Sequence, residues 1–207
     1  MIRRALAKVF RPLWEFTIRH LPIDDPWERL GTEPMLRMYG SGARLDFSAY
    51  LKGDTLVVVT SLEEIQDWLL GCHYEHDEVL FGEADFWQHP STFERLRAGD
   101  CEDYAVWAWR KLIELGHDVD LVAGWCVREG ELDGRHAWLL LRRDGVEFLL
   151  DPVARDRERM LRPLAEVRDS YVPQFGVDRH AKRFAFSGYI LGERKRLAKR
   201  AAERRSA

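Results

Sequence analysis

Of the three cysteines in this chain, Cys72, Cys101 and Cys126, one stands where a thiol can be made nucleophilic. Cys101 lies in Gly99-Asp100-Cys101-Glu102-Asp103 and opens a stretch with Tyr104, Ala105, Ala108, Trp109, Leu112, Ile113 and Leu115 at helical spacing. That periodicity predicts a helix with one buried face, stopped by Gly116. A helix N-terminus offers free N–H groups that favour a thiolate and can later oppose an oxyanion. The acidic neighbours would push the thiol pKa up if they faced it. They are expected to point elsewhere, Asp100 as the helix cap and Asp103 as a favourable first-turn charge.

The thiol needs a base from another element, and His136 in Arg135-His136-Ala137-Trp138-Leu139-Leu140-Leu141 sits on a predicted strand. Asp151 closes the next apolar run, Phe148-Leu149-Leu150-Asp151-Pro152, and is the candidate to orient the imidazole. Hairpin arithmetic tests the pairing. A turn centred on Arg143-Asp144 sets Asp151 opposite His136. A turn centred on Asp144-Gly145 sets it opposite Trp138, on the same face as His136 because side chains alternate. Both registers bring the two residues within reach, whereas a one-residue slip would separate them.

Taken together, Gly-Asp-Cys-Glu-Asp before an apolar helix, then His-Ala-Trp, then Leu-Asp-Pro, resembles the transglutaminase-like superfamily. In detail it is most similar to the bacterial transglutaminase-like cysteine proteinases over about residues 60–155. The segment Asp85-Phe86-Trp87-Gln88-His89-Pro90 is also like that group's approach to the Cys. The resemblance implies a papain-like α+β fold, with the Cys helix packed on an antiparallel sheet that carries His and Asp. It implies acyl transfer through a thioester by a Cys101–His136–Asp151 triad. It also implies an oxyanion donor upstream of the Cys, Trp87 or Gln88, and, in some members, calcium held by acids flanking the Cys, here Asp100 and Glu102. No other cofactor is expected. Trp138, beside His136, is the candidate cleft wall.

The elements that must position these residues are partly legible. Residues 1–21 carry apolar side chains at helical spacing among basic ones, interrupted by Pro12, and 22–53 read as loops. Asp54–Thr60 is β-branched and predicts a buried strand. Ser61 to Glu64 form a capping box ahead of a helix ending near Gly71. Residues 73–90 look irregular, and Thr92 to Ala98 predict a short helix closed by Gly99. Strands are expected over 119–127, 135–142 and 146–150. An Arg-rich segment of weak order follows, and a basic helical tail ends the chain. The division is 1–53, a core over 54–181, and 182–207, within one domain.

Composition bounds the partners. The formal charge of -3 gives no reason to expect nucleic acid. The basic termini allow peripheral membrane contact or an acidic partner, but a solvated helix is the preferred account of the tail. No run spans a membrane, and Lys8 and Arg11 interrupt any signal-peptide core. With three unpatterned cysteines, the expected setting is cytoplasmic. His73, His76, Asp77 and Glu78 could hold a metal but read as a solvated loop. The expected activity is an amide hydrolase, a peptidase or deamidase acting on protein or peptide. An acyltransferase and an idle scaffold module are the alternatives.

Overall fold

The computed structural model describes residues 12–31, 42–44 and 46–206. Its helices are α1 (12–20), α2 (Leu62–Leu70), α3 (Asp77–Leu80), α4 (Pro90–Leu96), α5 (Cys101–Glu114), α6 (Arg157–Met160), α7 (Leu164–Val167) and α8 (Gly188–Ser206). Its strands are β1 (Arg29–Leu30), β2 (His73–Tyr74), β3 (Ala98–Gly99), β4 (Asp118–Arg128), β5 (Glu131–Arg143), β6 (Val146–Leu150), β7 (Leu161–Pro163), β8 (Tyr171–Val177) and β9 (Arg183–Phe186). Seven strands form one antiparallel sheet in the order β1-β9-β8-β4-β5-β6-β7, while β2 and β3 pair in parallel beside it. The fold is α+β, with α5 packed on the sheet. Strands β1 and β9 carry the sheet beyond the 54–181 segment.

Alternation along β5 divides the sheet into two faces. Ala137, Leu139 and Leu141 join the core with Ala105, Ala108 and Leu112 of α5. Trp138 and Leu140 face the other way, with Leu149, Tyr171 and Phe186. The β5–β6 turn is the two-residue Asp144-Gly145, both at positive φ (52° and 76°), with Arg143 opposite Val146. That conformation suits Asp-Gly and matches the strand twist. It selects the second of the two anticipated registers, with Leu150 opposite Leu139.

Helix α5 is buried more completely than a one-sided pattern predicts. Every residue from Asp103 to Leu112 is buried, because α2 and α4 cover the side away from the sheet. Its polar groups are therefore paired internally. Lys111 Nζ meets Glu94 Oε1 at 3.2 Å and Thr55 Oγ1 at 2.9 Å, and Trp107 Nε1 donates to Glu94 Oε1 at 2.9 Å.

This pairing explains a departure from expectation. Asp54–Thr60 is not a buried strand: it pairs with no strand among the described residues, and Val58 is 86% exposed. Its backbone bonds to side chains instead, Val57 N–H to Glu94 and Val57 C=O to Lys111. Helix α4 begins at Pro90, suited to a first helical position, and ends with Arg97 in the left-handed region, not at Gly99. The Arg-rich segment after Asp151 holds α6, β7, α7 and β8, elements that sequence reasoning did not see. Of the anticipated N-terminal helix, 1–11 lies outside the described residues. Helix α1 packs through Ile18 on Ile190 and Leu197 of the basic tail.

Candidate active site

Cys101 is the first residue of α5, after Asp100 as N-cap. Its half-buried Sγ donates to Glu102 Oε2 at 3.1 Å. Burial drives the thiol pKa well up, the charges of Glu102 and Asp100 push it further, and the backbone N–H of Ala137 opposes them. That N–H belongs to the residue after His136, so the nucleophile lies against the strand bearing the base. Among the described residues no hydrogen bond joins Sγ to His136.

His136 and Asp151 are joined directly, Nε2 to Oδ1 at 3.0 Å. The pairing is diagonal, as the Asp144-Gly145 turn requires: continuing the ladder sets Asp151 opposite Trp138, two residues from His136. The Asp151 backbone is fixed by its own N–H donating to Met160 C=O at 2.8 Å. Burial works to raise the Asp151 pKa, but hydrogen bonds from His136, Tyr171 and the Val153 N–H outweigh it and hold the carboxyl below its ordinary value. Tyr171 is the residue that sequence reasoning missed. Its hydroxyl donates to Asp151 Oδ2 at 2.9 Å, and its ring stacks at 28° to the imidazole, centroids 6.3 Å apart. Burial and the Asp151 charge push the phenol up, which keeps it a proton donor. Its place in strand β8 was the only signal, and Pro173 hid that strand.

Three anticipated roles need correction. Trp138 is not a cleft wall: it is wholly buried, its ring centroid 6.1 Å from that of His136. Gly124 makes the room, since a Cβ there would lie 2.6 Å from Trp138 Cη2 and 2.2 Å from Val172 C=O. Neither upstream oxyanion candidate has a donor to spare. Trp87 Nε1 donates to Asp85 Oδ1 at 3.1 Å, with the ring packed on Phe47 and Tyr50. Gln88 Nε2 donates to Ala98 C=O at 3.0 Å and to Asp103 Oδ2. The N–H groups of the first turn of α5 remain as candidate oxyanion donors.

Asp100 and Glu102 belong to a larger acidic cluster. Carboxylate oxygens of Asp77, Asp100 and Asp103, and of Asp77, Asp85 and Glu102, lie within 4.8 Å of one another. Burial raises the pKa values of Asp77, Asp100, Glu102 and Asp103, the last to about 8. Asp103 is committed to structure, taking the Gln88 N–H at 2.7 Å and the Asp100 N–H at 3.3 Å. Asp77 Oδ1 and Asp100 Oδ1 are buried with no partner. Orphaned hard oxygens among crowded carboxylates fit a calcium ion. His73 and His76, weighed as metal ligands from sequence, are in no such group among the described residues.

A family model for bacterial transglutaminase-like cysteine proteinases matches residues 58–163, just over half the chain. No curated protein matches. Among solved structures, Legionella pneumophila LapG is similar at 18% identity and a TM-score of 0.46, covering 74% of this chain and 78% of that one. EGTA-treated LapG is similar at 18% and 0.43, covering 63% of this chain and 62% of that one, so this chain spans less than two thirds of that neighbour. Calcium-bound LapG is similar at 18% and 0.44, covering 63% and 71%.

Proposed function

The chain belongs to the bacterial transglutaminase-like cysteine proteinases, and from that premise we propose that it hydrolyses peptide amides through Cys101, His136 and Asp151. The observation that carries this is the 3.0 Å His136–Asp151 bond on the strand against which the Cys101 thiol lies. With Nε2 bonded to Asp151, the imidazole takes the thiol proton on Nδ1. Cys101 Sγ attacks the amide carbonyl carbon, and the oxyanion is opposed by N–H groups at the start of α5. The C–N bond then breaks as His136 returns the proton to the leaving amine. The resulting thioester is hydrolysed by a water that His136 deprotonates, releasing the acid and restoring the thiol.

Asp77, Asp85, Asp100 and Glu102 are proposed to hold calcium, which would supply positive charge beside Cys101 and offset the carboxylates that oppose its thiolate. Without that charge the thiol rests on Glu102, protonated. A cytoplasmic setting with reduced thiols is part of the same proposal. No described helix is long and apolar enough to cross a membrane.

The test is cleavage of a complex peptide mixture with calcium, read by mass spectrometry, for the wild type, Cys101→Ala and His136→Ala. New termini that appear with the wild type and vanish with both variants support the reading. Cleavage that survives Cys101→Ala overturns it. Deamidated or amine-linked products in place of new termini would move the assignment to another acceptor.

A further inference from the structure

A cavity of about 300 Å³ is bounded by the end of α2, by Tyr74, by Tyr104 and by 152–155. Its position follows from the chain. Tyr104 lies one turn along α5 from Cys101, and Val153 follows Asp151 by two residues and donates to its Oδ1 at 3.3 Å. Tyr74 stands opposite Gly99, two residues before Cys101, and its ring centroid lies 6.2 Å from that of Tyr104. A peptide whose carbonyl is presented to Cys101 therefore extends a neighbouring side chain toward this space.

The lining has a definite chemistry. Leu69, Leu70 and Val153 give apolar walls. The Tyr104 ring is buried, and its hydroxyl makes no hydrogen bond to the protein among the described residues. Tyr74 likewise makes no side-chain hydrogen bond there, and Arg155 makes neither hydrogen bond nor ion pair. Arg155, exposed to solvent, lines the same cavity as Tyr104, and its charge works to lower the pKa of that phenol. A phenol and an exposed guanidinium, neither with a protein acceptor among the described residues, stand next to an aliphatic wall and leave room for one. The acceptor that fits is one on a short aliphatic stem, best a carboxylate, which guanidinium binds with charge assistance.

We propose that this cavity is a specificity site that takes a glutamate side chain of the substrate adjoining the scissile bond. The proposal rests on the cysteine proteinase reading and names its substrate class. Arg155 and Tyr104 hold the carboxylate, while Leu69, Leu70 and Val153 cover the methylene groups.

The experiment uses binding, so that it does not depend on turnover. Full-length Cys101→Ala protein, with calcium, is titrated with four blocked peptides that differ only in a central Glu, Gln, Leu or Lys. The expected order is Glu tightest and Lys weakest, Glu over Gln by about tenfold. Arg155→Glu should remove the Glu preference and favour Lys, and Tyr104→Phe should weaken Glu binding with a smaller effect on Leu. Equal binding of the four peptides, no binding of any, or an order unchanged by Arg155→Glu would overturn the site. Wild-type cleavage of the same peptides reports separately on the proteinase reading: cleavage without Glu preference sinks the pocket alone.

Discussion

Tyr171 donates its hydroxyl to Asp151 Oδ2, the oxygen His136 does not use, at 2.9 Å. The carboxylate is thereby fixed from two sides, with the imidazole on Oδ1 and the phenol on Oδ2. A donor to the charged form lowers an acid's pKa, so Tyr171 helps keep Asp151 ionised despite burial. Tyr171→Phe keeps the ring and removes the donor. We expect kcat/KM for peptide cleavage to fall about tenfold, the loss of one charge-assisted hydrogen bond. KM should stay level, and the acid limb of the pH–rate profile should move up as the Asp151 pKa rises. A purely structural Tyr171 would leave that limb in place.

The bulge that lets β8 meet β4 falls at Gly124, which faces Pro173 across the ladder and His136 on the other side. A Cβ there would meet Val172 C=O at 2.2 Å, Trp138 Cη2 at 2.6 Å and Pro173 Cα at 2.9 Å. Two of these are backbone atoms in a central strand and cannot step aside. Gly124→Ala should cost about 1–3 kcal/mol in urea unfolding, the usual penalty of overpacking. It should also lower activity by displacing the Trp138 ring beneath the imidazole. Wild-type stability in this variant would contradict the packing account.

Lys111 and Glu94 are a buried pair, 1% and 0% exposed at the side chain. Glu94 also receives Trp107 Nε1 and the Val57 N–H, so one carboxylate ties α4, α5 and the 54–60 segment together. Glu94→Ala leaves an ammonium and an indole donor buried without that acceptor. The expected loss is about 3–5 kcal/mol, measured by chemical denaturation. Glu94→Gln, which still accepts the indole N–H, should lose less.

Much of the site could be read in the sequence, and the reasons are local. Cys101 announces itself because α5 has strong periodicity, and Asp144-Gly145 fixes a turn whose register carries Asp151 to the face of His136. The missed parts depend on partners distant in sequence. Residues 54–60 have the composition of a strand but meet the side chains of Glu94 and Lys111, not another strand. Strand β8 lies in the centre of the sheet yet contains Pro173, which normally argues against a central strand. A register shift between Ala123 and Gly124 accommodates it. With β8 hidden, Tyr171 could not be found. Trp87 and Gln88 follow the family pattern in sequence, but their donors are taken by Asp85, Asp103 and Ala98.

The acidic cluster gives stability a pH dependence of definite sign. Asp103 is pushed up to about 8 by burial, against about 3.9 for an unfolded aspartate. Between those values the folded state binds more protons than the unfolded one, so stability falls as pH rises. In EDTA the melting temperature should decline from about pH 4 to about pH 8, the interval between the two pKa values. Calcium should raise it most at the upper end, where the carboxylates ionise. A flat curve in EDTA, or equal calcium stabilisation throughout, would contradict the cluster.

The most direct test of the central claim is the rate of Cys101 alkylation by iodoacetamide against pH, with calcium, in wild type and His136→Ala. Mass spectrometry of the three cysteine peptides supplies internal controls, because burial pushes Cys72 and Cys126 to about 11. The account predicts that Cys101 labels well below a free thiol's pKa of about 8.5, outruns the other two, and loses that lead in His136→Ala. A Cys101 that labels no faster than Cys72, or that ignores the loss of His136, would contradict a working thiol–imidazole pair.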